Sequence, residues 1–233
     1  MKVSLIASTP DPERTAAAAA RQCYSKFSAT RALQNMTDDD VSKQLRKVIG
    51  NGHLSTLEHV SFTFSIEDIS RACSHQLVRH RIASYSQQSM RYVRLEEINF
   101  ITPESISNND KAIALYNNAL ERCKECYKEL QEIGVPTEDA RYILPQASPT
   151  KIVVTMNVRA LMNFFELRCC LRAQWEIRQL ACKMLELVRE IAPTMFEGAG
   201  PACVSRKVCP EKDYNCPKWI DLYKKGQNVK GQQ

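Results

Sequence analysis

Residues 60–80 read VSFTFSIEDISRACSHQLVRH, and the change of period inside this stretch decides the class of fold. Val60, Phe62, Phe64 and Ile66 alternate with Ser61, Thr63 and Ser65, the two-residue repeat of a strand with one buried and one polar face. From Ile69 the spacing lengthens. Ile69, Ala72, Cys73, Leu77 and His80 follow a helical repeat, with Asp68 or Ser70 placed to cap it. On such a helix Gln76, Arg79 and His80 are expected to share a face, so that an amide, a guanidinium and an imidazole converge at its C-terminal end.

The same mixture continues outward. Val3–Ser8 reads as a strand, ended by a Pro-Asp-Pro turn, and a helix is expected from near Asp11 through the alanine block to about Tyr24. Another helix spans Asp39–Val48, with aspartates at its start. Downstream, Asn99–Thr102 reads as a short strand. A long helix runs from about Asn109 to Ile133, stopped by Gly134 and Pro136, and Lys151–Met156 forms a further strand. Residues 157–191 keep a helical stripe but exceed the usual length of one helix, so a break is expected. Strands interleaved with helices predict a mixed α/β or α+β fold.

Composition narrows the setting. A chain of 233 residues, 44% hydrophobic and 25% charged, has the usage of a soluble globular protein with one large core. The N-terminal apolar run is too short for a signal-peptide core or a membrane span, which predicts a cytoplasmic location without membrane association. Ten cysteines in that setting are expected to stay reduced. Seven glycines, at 50, 52, 134, 198, 200, 226 and 231, allow neither G-x-G-x-x-G nor a Walker-type loop. The formal charge of +6 favours anionic partners, part of it lying on Lys224, Lys225 and Lys230 in a Gly/Gln/Asn-rich terminus too polar to order itself.

Metal sites are poorly supported by spacing. His53, His59, His75 and His80 with Glu58 contain neither an i,i+4 histidine pair nor H-E-x-x-H. Cys123 and Cys126 form a C-x-x-C in mid-helix, where Ile113, Tyr116, Leu120, Cys123, Tyr127 and Leu130 make a buried stripe; packing is the better reading. Cys203, Cys209 and Cys216 suggest a thiolate loop, yet they are three where a tetrahedral site needs four, and unligated thiols are expected.

Functional chemistry is densest at residues 79–91, RHRIASYSQQSMR. Arginine forks, serine hydroxyls and amides together suit a phosphorylated ligand, the alternative being a solvated turn. Leu95, Glu96 and Glu97 follow as a charged connector. Farther on, Arg168 and Arg172 stand at i,i+4 and can wall an anion site, although periodicity alone favours a surface salt-bridge face with Glu166 and Glu176.

Several ordered motifs then carry a resemblance. R-H-R-x7-S at Arg79, His80, Arg81 and Ser89, continued by Arg91, resembles the signature of the flavin-dependent thymidylate synthase family. G-H-x-S-x-x-E-H at Gly52–His59 precedes it; A-R-x-x-L-P at Ala140–Pro145 and N-x-R-x-L-x-N-F-x-x-L-R at Asn157–Arg168 follow. The likeness runs from the N-terminal strand to about residue 200.

The resemblance implies methylation of dUMP at the pyrimidine C5, with methylenetetrahydrofolate as carbon donor and NADPH-reduced FAD as hydride source. It implies a compact single domain with a central sheet and flanking long helices; this domain is expected over residues 1–220, with a cysteine-containing segment from about 200 that lies outside the likeness, and composition predicts a flexible basic tail at 221–233. The resemblance further implies that four copies assemble, with small-molecule substrates bound in active sites shared between subunits. Ser55, Arg79, His80, Arg81, Gln87, Asn157, Arg159 and Asn163 are expected to hold FAD, with His53 near the flavin and folate. Gln76, Arg79, Gln87, Gln88, Ser89, Arg91, Arg141 and Arg168 are expected around dUMP. Arg168 is the expected catalytic residue, stabilising charge at the uracil N3/O2 edge, so that no enzyme thiol attacks the ring and Cys169 and Cys170 are packing residues. Gln87 stands where some members carry glutamate, and Arg172 where some carry histidine. Two other readings are a nucleic-acid binder using Arg79, Arg81, Arg91 and Arg94, and a zinc-stabilised module; neither explains the ordered motifs outside the arginine cluster.

Overall fold

The computed structural model describes residues 1–93 and 98–223. In chain order its elements are β1 (Lys2–Ser8), α1 (Pro12–Gln22), α2 (Ala29–Asn35), α3 (Asp38–Gly50), β2 (Ser61–Ser70), α4 (Arg71–Leu77), β3 (Ser84–Gln87), α5 (Glu104–Ser107), α6 (Asp110–Glu132), α7 (Thr137–Ala140), β4 (Pro149–Asn157), α8 (Val158–Arg168), α9 (Trp175–Ile191), α10 (Ala202–Ser205) and α11 (Pro217–Tyr223). The strands form one antiparallel sheet of order β1-β2-β4-β3, which makes the fold mixed α/β. No helix among the described residues is long and apolar enough to cross a membrane. Lys224, Lys225, Lys230, Arg94 and the Leu95–Glu97 connector lie outside the described residues.

The chain divides into two compact units that are interleaved in sequence. The first comprises residues 1–2, 65–81 and 85–154; the second comprises 3–64, 82–84 and the chain from 155 onward. Strands β2 and β4 pass through both. In the first unit, Ile98, Tyr127 and Ala140 make a buried cluster with Phe100, Leu130, Val135 and Leu144 against it. In the second, Phe196 meets the edges of Phe62 and Phe165, with ring centroids 5.8 and 6.0 Å apart, a geometry aromatic pairs favour. Leu45, Leu57, Ala16 and Ala17 are also fully buried there, so the alanine block of α1 gives close approach to α3.

Local rules account for most boundaries. The β2 alternation is as expected, with Val60, Phe62, Phe64 and Ile66 wholly buried. Thr37 and Asp40 close a reciprocal capping box at the start of α3, and Asn109 caps α6 through the Lys111 and Ala112 amides. The expected break after α8 falls at residues 169–174, where the Gln174 side chain accepts from the Glu176 and Ile177 amides and starts α9.

Four expectations are corrected. The strand runs on to Ser70, so Ile69 belongs to β2; Asp68 is no cap, because it sits inside the strand with φ 57° and interrupts the alternation there. Ser70 is the cap, its hydroxyl accepting from the Cys73 amide at 3.0 Å. Helix α4 stops at Leu77, so Gln76, Arg79 and His80 do not share one helical face. Arg79 and His80 instead make three-residue turns back to the Gln76 and Leu77 carbonyls, while the Tyr85 hydroxyl shares its proton between the carbonyls of Leu77 (2.9 Å) and His80 (2.8 Å). Asn99–Thr102 is not a strand; its bond from the Ile101 amide to the Ala147 carbonyl is followed by Pro103, which has no amide to extend a ladder. On α6, Leu120 and Tyr127 are buried but Cys123 is only half-buried.

Candidate functional site

The first unit gathers one set of polar side chains around α4, β3 and the turn after it. Tyr85 fixes the backbone of the Arg79–Arg81 turn, and burial pushes its phenol up to about 12, so it remains a donor. On β3 the Gln87 amide donates to the hydroxyls of Ser74 (2.9 Å) and Thr150 (3.2 Å), which aims this side chain at the protein's own strand and helix. The Gln88 amide joins β4 through the Lys151 carbonyl at 2.9 Å, and its own carbonyl accepts from Nη2 of Arg71 at 3.0 Å. One residue on, the Ser89 hydroxyl accepts from the Arg91 amide at 3.2 Å.

Charge in this set is unevenly matched. Arg91 holds the Glu138 carboxylate at 2.7 Å through Nη2, and that carboxylate raises the Arg91 guanidinium further above its ordinary value. Arg141 donates from Nε to the Glu138 main-chain carbonyl at 2.9 Å. Arg71 is pushed down by burial first and by the positive charge of Arg141 second. Among the described residues, Gln76, Arg79, His80, Arg81, Gln87, Gln88, Ser89, Arg91 and Arg141 therefore belong to one unit, with Arg79 and Arg81 exposed and Gln76 and His80 half-buried.

His53, Ser55, Asn157, Arg159, Asn163 and Arg168 belong to the second unit. Gly52 takes φ 72°, a left-handed turn open to glycine, and the His53 amide closes back on the Val48 carbonyl at 2.8 Å. This delivers His53 and Ser55 to the wall of an open cleft of about 370 Å³, lined also by Arg159, Thr56 and Tyr24. Arg159 crosses to Glu58 at 2.6 Å, an exposed pair that water and salt weaken. Asn157 has a structural duty, since its side-chain oxygen caps α8 through the Ala160 amide at 2.8 Å. Asn163 is exposed on α8, and Arg168 is that helix's last residue, half-buried. Glu166 is engaged by Ser205 at 2.9 Å and Arg206 at 3.2 Å, which ties the C-terminal segment to α8.

None of the ten cysteines is in a disulfide among the described residues. Cys169, next to Arg168, is hydrogen-bonded to Cys182 and buried, and both causes push its thiol above the ordinary range; the same bond pulls Cys182 down to about 6. Cys170 joins Cys203, Cys209 and Cys216 along a small cavity of about 80 Å³ that Lys218 and Trp219 of α11 also line. Among the described residues no three His, Cys, Asp or Glu side chains are grouped to hold a metal ion.

Sequence reading missed Arg71, Tyr85, Ser74 and Glu138. Tyr85 lies inside the 79–91 cluster but its role depends on where α4 stops, and Glu138 is 47 residues from Arg91.

Comparison with known proteins bears on the whole chain. Residues 4–194 match the family described as thymidylate synthase complementing protein. The chain is 51% identical over 224 residues to the flavin-dependent thymidylate synthase of Geobacter sulfurreducens, spanning 95% of this chain and 96% of the relative. It is 43% identical to the protein of that name from Clostridium tetani, spanning 96% of each, and 44% identical to the one from Pyrococcus abyssi, spanning 97% of this chain and 99% of the relative.

Proposed function

The chain belongs to the flavin-dependent thymidylate synthase family, and on that premise we propose that it methylates dUMP to dTMP. Methylenetetrahydrofolate donates the carbon, and FAD, when bound and reduced by NADPH, supplies the hydride. The observation that carries this reading is the near full-length likeness to synthases of that name, 51% identical over 224 residues in one of them.

The residues present fit a flavin. The cleft is open and exposes the donors of His53, Ser55 and Arg159, and the one ion pair on Arg159 is weak enough to exchange for a phosphate of the cofactor. Arg79, His80, Arg81, Gln87, Asn157 and Asn163 complete the FAD set. Two of these act through the protein in the free chain: Asn157 by starting α8 and Gln87 by bracing β3.

Around dUMP, Gln76, Arg79, Gln87, Gln88, Ser89, Arg91 and Arg141 bind and orient the nucleotide, and its phosphate takes over the Arg91 guanidinium from Glu138. Arg168 acts on the ring. C5 becomes nucleophilic only as negative charge spreads to the N3/O2 edge, and a fixed guanidinium there stabilises that charge in advance of the reaction. A buried, hydrogen-bonded Cys169 is a poor nucleophile, which accords with activation by charge alone.

Residues 1–220 act as the catalytic domain, four copies assemble, and each pocket draws residues from more than one copy; the exposure of Ser55, Arg79, Arg81 and Asn163 in the single chain favours such sharing. We place the enzyme in the cytoplasm, where its thiols stay reduced. The test is the visible spectrum of protein incubated with FAD and gel-filtered, then given NADPH anaerobically with and without dUMP. Retained flavin that NADPH bleaches, at a rate dUMP alters, is expected; folded protein that keeps no flavin overturns the proposal.

A further inference from the structure

Among the described residues, the buried side-chain atom left without a hydrogen-bond partner is Nε of Arg71. A buried donor that finds no acceptor loses its water and gains nothing in return, so its persistence calls for a ligand. Arg71 spends one Nη2 donor on the Gln88 carbonyl at 3.0 Å. It has no carboxylate partner among the described residues, and neither has Arg141, whose Nε is used on the Glu138 main-chain carbonyl. Glu138's own carboxylate is spent on Arg91. Arg141 and the paired Arg91 thus meet on Glu138, while Arg71 sits on the Gln88 carbonyl, three residues before Arg91 in the chain; burial pushes the Arg71 guanidinium down, the positive charge of Arg141 being a lesser cause.

We propose that Arg71 is a phosphate-binding residue of the nucleotide site, forming with Arg141 a two-guanidinium seat for the 5′-phosphate of the substrate, next to the Gln88–Ser89 turn. The inference rests on the nucleotide reading of this cluster and extends it to a residue that lies outside the sequence motifs. A phosphate monoester is the fitting anion because it carries nearly two negative charges at neutral pH, matching two guanidiniums, whereas one carboxylate matches only one. Its several acceptor oxygens also suit a planar fork with an idle Nε–H. Arg71 has a second task that the fork geometry explains: its Nη2 bond to Gln88 fixes the backbone between β3 and Ser89, so ligand and turn are gripped by the same side chain.

The experiment uses the FAD-loaded protein and compares Arg71→Gln and Arg71→Lys with wild type by titration calorimetry. The probes are dUMP, deoxyuridine and inorganic phosphate. Arg71→Gln is expected to weaken dUMP about ten- to hundredfold more than deoxyuridine, the usual worth of charge-assisted bonds, since any loosening of the Gln88–Ser89 turn is felt by both ligands alike. Inorganic phosphate is expected to compete with dUMP in wild type and to lose that ability in the variant. Arg71→Lys keeps the charge without the fork and is expected to fall between the two; it carries the test if the Gln variant does not fold. Equal losses for dUMP and deoxyuridine, or unchanged dUMP affinity, overturn the proposal. A wild-type protein that binds inorganic phosphate in an Arg71-dependent way but ignores dUMP leaves the seat standing and refutes the nucleotide reading instead.

Discussion

Arg168 closes α8 half-buried, directly before a thiol that has lost its acidity. If its guanidinium stabilises charge on the uracil ring, Arg168→Ala keeps fold and flavin while kcat falls by about a hundred- to thousandfold, the usual cost of removing one preorganised donor. Steady-state assays beside the flavin spectrum check this, and normal turnover refutes the assignment. The Cys169–Cys182 pair gives a second test. Cys169 donates its proton toward Cys182, so Cys182 has the lower value, about 6 against an ordinary thiol near 9. The thiolate is the reactive form, so alkylation of Cys182 by brief iodoacetamide pulses should rise from pH 5 to a plateau above about 7, with Cys169 unmodified. Peptide mapping by mass spectrometry reads the outcome, and a Cys182 that reacts only near pH 9 contradicts the pairing. Arg168 stands out as a candidate in the sequence because the motif around it is long. The thiol pair does not, because it exists only once α9 folds back on α8, and no local spacing announces that contact.

The elements were legible where one repeat dominated. In β2 the alternation of Phe62, Phe64 and Ile66 needs no outside help, and the caps at Asn109 and Gln174 are local chemistry. Strand β3 was hidden because Ser84–Gln87 offers no apolar alternation; it pairs with β4 through bonds such as Gln88 to Lys151 that belong to tertiary structure. The stop of α4 was hidden for a similar reason, since periodicity continued to His80 while Tyr85 claimed the last carbonyls. Tyr85→Phe should therefore unfasten that stop. Two half-buried carbonyls lose a donor, which predicts about 1–2 kcal/mol of lost stability, read as a lower denaturation midpoint at unchanged slope. Flavin retention should weaken as well, because Arg79 and Arg81 are carried on the loosened turn. A variant as stable as wild type removes Tyr85 from this role.

At the scale of the molecule, the mixed α/β class followed from periodicity, but the division into two units did not. Each unit draws on distant stretches, and no composition shift marks the joins. The candidate residues are divided in the same way, the phosphate-type ones belonging to one unit and His53, Ser55, Arg159 and Arg168 to the other. Assembly is checked by light scattering on the purified protein, where a mass near four times 26.5 kDa is expected and a monomer at working concentration rejects the shared-pocket proposal. The interleaving has a further meaning for how such a protein can change over generations. Because β2 and β4 each begin in one unit and end in the other, no single cut of the gene separates one unit from the other. A single crossover would therefore cut into both units at once, which favours change by substitution and loop insertion over exchange of one unit for a foreign module.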